Sequence, residues 1–172
     1  FGVDLGAAAL LTALFIFPAS LLRPLGGYLS DVFGPRVVTY SVFIGMTAAL
    51  VPLCLPSSVL NLSVGMFTVL MCLVGVGMGI GKASVYKYVP NYFPNDVGAV
   101  GGLVGMLGAL GAFVLPPVFG MVGRATGSPQ SAFIALLGLT VVSLAWLHAV
   151  VLAMKRAEPA AVPAPELAAA EA

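Results

Sequence analysis

Two cations stand in apolar surroundings. Arg23 lies in PASLLRPLGGYLSDVFGPR, residues 18–36, after an apolar run broken only by Thr12 and Ser20. Lys82 lies in VGVGMGIGKAS, residues 74–84. Holding such a charge at mid-depth in a bilayer costs at least about 2.5 kcal/mol, so it persists where a partner or water satisfies it. No Asp or Glu lies at that depth. The partner these residues call for is an anion that comes and goes. The competing reading for Arg23 is a side chain snorkelling to the headgroups, or a helix that ends at Arg23-Pro24. For Lys82 it is snorkelling toward the near interface.

The elements that carry these cations follow from composition. Of 172 residues, 60% are hydrophobic and 8% charged, with mean hydropathy +1.12. A soluble domain carries roughly 25% charged residues, so this chain cannot cover a water-facing surface and reads as a membrane protein. A net charge of +1 gives no reason to expect a nucleic-acid partner. About 20 apolar residues cross a bilayer as helix. Five stretches qualify: Asp4 to Leu29, Val37 to Leu55, Leu62 to Val89, Val97 to Val122 and Ser131 to Met154. Turn chemistry separates them: FGPR at 33–36, PSS at 56–58, NYFPND at 91–96 and TGSPQ at 126–130. Asn95 or Asp96 is placed to cap the fourth helix. The fold class is all-α, a polytopic membrane helix bundle.

Loops alternate sides. Arg36, Lys87 and Lys155-Arg156 fall on one side, and Arg124 alone falls on the other. Basic residues mark the cytoplasmic side, so the C-terminus is expected inside and Phe1 outside. Residues 1–156 form the transmembrane region. Residues 157–172, AEPAAVPAPELAAAEA, lack bulky apolar side chains and are expected to form a disordered cytoplasmic tail and a genuine C-terminus. The start, FGVDLGAAAL, lacks a signal peptide's basic n-region and suggests a piece of a longer protein.

Arg23 lies about eight residues up its helix from Asp31, or about 12 Å, near the middle of a ~30 Å core. At about 100° per residue, Ala19, Ser20, Gly26 and Gly27 share its face, and Leu11, Leu14, Leu21, Leu22, Leu25 and Leu29 gather opposite. The leucine stripe suits lipid. The small stripe suits a packed neighbour or a cavity. In the third span Gly75 and Gly79 form one small face and Gly77 and Gly81 another, which predicts a helix pressed between two neighbours. Lys82 and Tyr86 fall with Gly75 and Gly79, at about the depth of Arg23. In the fourth span Gly98, Gly101, Gly102, Gly105 and Gly108 share about a third of the circumference. They read as close packing, or as bare backbone open to a small ligand. Pro116 and Pro117 predict a kink or a helix end.

Cys54 and Cys72 lack metal-like spacing and read as packing residues, and His148 reads as packed or interfacial. No nucleophile–base set, metal cluster or phosphate loop occurs. The GxGxG at 75–79 follows no strand and is no nucleotide fingerprint. Neither an enzyme nor a cofactor is implied.

GGYLSDVFGPR resembles the inter-helix loop motif of the major facilitator superfamily. Gly27, Leu29, Ser30, Asp31, Gly34 and Arg36 match it, and Val32 and Pro35 stand where that motif prefers cations. GIGKASVYKYVPNYFP at 79–94 and GLVGMLGALGAFVLPP at 102–117 are similar to the glycine-rich helices of its nitrate/nitrite porter branch. Gly108 to Gly111 with Phe113 and Pro116 resembles that branch's nitrate signature. Arg23 occupies the position of a substrate-binding Arg. Lys82 stands where relatives often carry a small polar residue. The resemblance covers residues 1 to about 156.

The resemblance implies the last five helices of a twelve-helix carrier in a plasma or inner membrane, with the N-terminal half and its second substrate Arg absent from this chain. It implies Gly27, Asp31, Gly34 and Arg36 as a conformational gating loop. It implies nitrate or nitrite as substrate, bound by Arg23, with Gly108 and Gly111 shaping the site and Lys82 and Tyr86 as further candidates. A planar guanidinium matches two oxygens of such an anion, and the two halves rock about it. With no mid-depth acid in this half, exchange is favoured over proton symport. The alternatives are a carrier of another small or organic anion, which would want a roomier polar pocket, and a membrane scaffold, which needs no unpaired mid-depth cation.

Overall fold

The computed structural model describes residues 4–55, 60, 62–127 and 130–157. Six helices follow in order: α1 (Leu5–Leu21), α2 (Arg23–Phe33), α3 (Pro35–Cys54), α4 (Val64–Tyr92), α5 (Val97–Thr126) and α6 (Ser131–Ala157). The described residues contain no strand. Helices α3 to α6 are each long and apolar enough to cross a membrane, and α1 with α2 makes a fifth span bent by 41°. The five expected stretches are therefore helical, but the first is not continuous.

The break falls at Leu22, directly before Arg23-Pro24. Pro24 has no N–H for the Ser20 carbonyl, its ring crowds that carbonyl, and it disfavours helical backbone at the residue before it. One helix thus ends at the Arg-Pro step, as the alternative reading held, and Arg23 opens a second. Pro116 and Pro117 behave differently. Both lie inside α5, which runs on to Thr126 and stops at Gly127, where φ is +64°. The expected helix end does not occur at the prolines. Asp96 is the N-cap of α5, but its side chain makes no capping hydrogen bond. Ser63 does cap α4, its Oγ accepting from the Met66 N–H at 3.2 Å. The PSS turn, Ser128 and Pro129, and the expected tail beyond Ala157 lie outside the described residues.

α4 is the hub. It packs on α1, α2, α3 and α5, while α6 closes the ring by packing on α3 and α5. Its two glycine faces are what allow this. A Cβ on Gly75 would come 2.7 Å from the Phe15 carbonyl oxygen, and one on Gly79 would overlap the Ala19 carbonyl, both on α1. A Cβ on Gly77 would come 2.6 Å from Met46 Cγ, and one on Gly81 would come 3.0 Å from Val42, both on α3. The expectation of a helix pressed from two sides holds. From α2, Gly26 approaches so closely that a Cβ there would lie 2.7 Å from Ile80 Cα.

Two further features fix the bundle. Ala49, Leu50, Leu53 and Val74 form its core, flanked by Phe67 and Phe133, whose rings meet edge to face at 6.0 Å. Nearer the other end, the fully buried Ser84 hydroxyl lies 2.8 Å from that of Thr39, and both reach the Pro35 carbonyl. That carbonyl lies in the first turn of α3, so the pin locks the start of α3 to α4. α5 contrasts with α2, α3 and α4: none of its residues is buried.

Candidate functional site

The loop motif between α2 and α3 folds as its residue types require. Gly34 has φ +83° and ψ 143°, a backbone conformation open essentially to glycine alone. Pro35 then starts α3 at a position where its missing N–H costs nothing. Asp31 accepts from Lys87 Nζ at 2.6 Å, tying α2 to α4. Arg36 donates to the Tyr92 hydroxyl at 2.8 Å and reaches the Met154 sulfur at 4.0 Å. Arg36, Lys87 and the residue preceding Lys155 thus gather at one end of the bundle, as loop alternation predicts. Gly27 meets no neighbour. His148 is exposed and contacts α3: its Nδ1 lies 3.1 Å from the Tyr40 hydroxyl and their rings meet edge to face.

Above this end a cavity of about 510 Å³ opens between α3, α4 and α5. Lys82, Tyr86 and Gly108 line it, as do Thr39, Met46 and Gly105. No acidic residue lines it. Among the described residues Lys82 has no hydrogen-bond or ion-pair partner. Tyr86 sits one helical turn further along α4, and a Cβ on Gly105 would lie 3.1 Å from its hydroxyl oxygen. The bare backbone of α5 therefore receives the tip of a tyrosine from α4. Sequence reasoning counted Gly105 only within a glycine stripe. No periodicity within one helix could pair it with a residue on another.

Two placements differ from expectation. Lys82 and Tyr86 were expected with Gly75 and Gly79, but that glycine face is occupied by α1. Lys82 is about 60° round the helix from Gly79, which is enough to turn it to the cavity instead. Gly111 does not line the cavity and meets no neighbour.

Arg23 is also outside the cavity lining. It is exposed, and no hydrogen bond or ion pair engages it among the described residues. Its direction follows from its neighbours. Gly26 faces α4, and Leu29 and Phe33 line a groove shared with α3. Arg23 lies about 60° round α2 from Gly26, on the side away from Leu29 and Phe33. It therefore points away from α3. α5 packs on α4 and α6 but does not touch α1 or α2. The cavity between α3, α4 and α5 carries Lys82 and Tyr86, and Arg23 stands outside it at the start of α2. The cavity can hold an anion, because its one charged lining residue is a cation and no acid lines it.

Comparison with known proteins identifies relatives of the chain. A family model described as Major Facilitator Superfamily matches residues 1–171. The "Probable nitrate/nitrite antiporter NarK1" of Thermus thermophilus is 52% identical over 172 residues, covering 92% of this chain and 39% of that protein. The "Nitrite extrusion protein" of Bacillus subtilis (strain 168) is 35% identical over 153 residues, covering 86% and 37%. The "Probable nitrate transporter NarT" of Staphylococcus aureus (strain JH9) is 36% identical over 136 residues, covering 79% and 34%. The chain thus spans about two-fifths or less of the curated relatives it matches. No solved structure matches it. The sequence motifs, the helix bundle and the family match together make this chain a member of the Major Facilitator Superfamily.

Proposed function

We propose that the protein containing this chain carries nitrate or nitrite across a membrane by alternating access, with Arg23 as an anion ligand. The observation that carries the reading is a pair of cations within the apolar spans, unpaired among the described residues: Arg23 at the break of the first span, and Lys82 lining a cavity without an acid. An unpaired cation in an apolar span is costly, and a binding anion offsets that cost. A guanidinium offers paired N–H donors to a planar anion, whereas a scaffold would gain nothing from leaving it open. The relatives' names supply the choice of nitrate and nitrite. Gly108 and Gly111 leave the α5 wall bare for close approach, and Tyr86 offers a hydroxyl.

In this reading a further set of helices, the N-terminal half, packs over Arg23 and brings a second cation to the anion. The two halves then rock about the bound ion. The Gly34 turn and the Asp31–Lys87 pair hold the end of the bundle that must open and close, and that end, with the C-terminus, faces the cytoplasm of a cell or inner membrane. The carrier makes and breaks no covalent bond and needs no cofactor. The test is uptake of labelled nitrate by the full-length protein in liposomes. Exchange is expected to give uptake into nitrite-loaded vesicles and little into empty ones. Uptake that needs only a proton gradient would replace exchange by symport. No uptake of either anion under any gradient would overturn the reading.

A further inference from the structure

We propose that Lys82 forms a second anion-binding site, separate from Arg23, which takes small, monovalent, weakly hydrated anions. It rests on the reading of the protein as an anion carrier and names a site and an anion class within it. The two cations stand on different helices, Arg23 at the start of α2 and Lys82 within α4. Lys82 lines the cavity between α3, α4 and α5, and Arg23 does not. One ion need not reach both at once.

The cavity itself sets the ligand class. Its walls are mostly aliphatic side chains, methionines, Phe43 and bare glycine backbone, with the hydroxyls of Thr39 and Tyr86, and its one charged lining residue is Lys82. One positive charge neutralises one negative charge. A multivalent or strongly hydrated anion such as sulfate would lose its water against apolar walls without recovering it. A delocalised monoanion such as nitrate or thiocyanate loses much less. The ammonium supplies a compact, rotatable donor that accepts anions of varied shape, unlike the fixed fork of a guanidinium. Tyr86 adds a second donor on the same helical face. Gly105 is the positioning residue here: any side chain there would press on the Tyr86 hydroxyl, 3.1 Å from where its Cβ would stand. At about 510 Å³ the cavity is also larger than nitrate needs, so anions bulkier than nitrate fit.

The experiment is equilibrium binding of radiolabelled thiocyanate to the full-length protein in detergent, beside nitrate exchange in liposomes. The variants are Arg23→Gln, Lys82→Gln, Lys82→Arg and Gly105→Val, each first shown to elute and melt like wild type. Thiocyanate binding is expected to survive Arg23→Gln and to weaken about tenfold or more in Lys82→Gln, the size of one lost charge-assisted contact. It should stay within about threefold in Lys82→Arg and weaken in Gly105→Val. Excess sulfate should not compete. Binding abolished by Arg23→Gln, or unchanged in Lys82→Gln, would overturn the second site. The two proposals fail separately. Lys82-dependent thiocyanate binding without nitrate exchange would sink only the nitrate reading. Nitrate exchange with Lys82-independent binding would sink only this one.

Discussion

α4 and α5 are both rich in glycine and use it in opposite ways. On α4, Gly75, Gly77, Gly79 and Gly81 each lie where a Cβ would strike α1 or α3. On α5, Gly98, Gly101, Gly102, Gly108 and Gly111 meet nothing within 4 Å. The first set is a packing requirement: two neighbours approach on backbone, and the helix cannot rotate or slide without collision. The second set is a bare wall. It brings the Tyr86 hydroxyl of α4 against the bare backbone at Gly105 and leaves a cavity beside it. One residue type thus builds the fixed spine of the bundle in one helix and an open face in the next.

The largest expected effect tests the spine. Gly79→Leu should cost about 3 kcal/mol or more, because the side chain must displace α1 backbone. The melting temperature and yield of the full-length protein should both collapse. Wild-type stability would mean that α1 does not press on α4. Next comes the polar pin. Ser84→Ala removes the hydrogen bonds from Ser84 to Thr39 and to the Pro35 carbonyl, while the Thr39–Pro35 bond remains, for a loss of about 1 kcal/mol. Thermal melting reads it, and a shift no larger than that of an exposed serine such as Ser41 would discount the pin.

Smaller still is the ion pair between Asp31 and Lys87. Both side chains are partly exposed, at 58% and 39%, so Asp31→Asn should change stability by less than about 1 kcal/mol. If the pair belongs to a gate, the exchange rate should change more than the melting temperature does. A variant that melts far below wild type would make the pair structural instead. At the bottom of the scale is the bare wall. Gly101→Ala meets no atom and should leave stability unchanged or raise it by up to about 1 kcal/mol through helix propensity. A loss comparable with that of Gly79→Leu would erase the contrast between the two helices.

Much of this was legible in the sequence, for reasons that are local or periodic. Five apolar stretches, the two glycine faces of α4 and the Gly34-Pro35 turn follow from composition, helical spacing and backbone chemistry. Arg23 stood out because a cation inside an apolar run has few explanations. The break at Leu22 was visible only as an alternative, since a proline in a span either bends it or stops it. Pro24 stops a helix, while Pro116 and Pro117 leave one running. The pairing of Tyr86 with Gly105, and the turning of Lys82 toward α3 and α5, depend on how helices sit side by side. A rotation of about 60° decides which neighbour a residue meets, and the helical phase of a single sequence does not say where the neighbours stand.

The most direct test of the central claim is nitrate exchange by the full-length protein carrying Arg23→Lys, in nitrite-loaded liposomes. The substitution keeps the charge and removes the planar fork. A variant that melts like wild type and loses most of its exchange is the predicted result, because a point charge cannot meet two oxygens at once. Exchange at the wild-type rate would contradict the account and make Arg23 a structural charge at the start of α2.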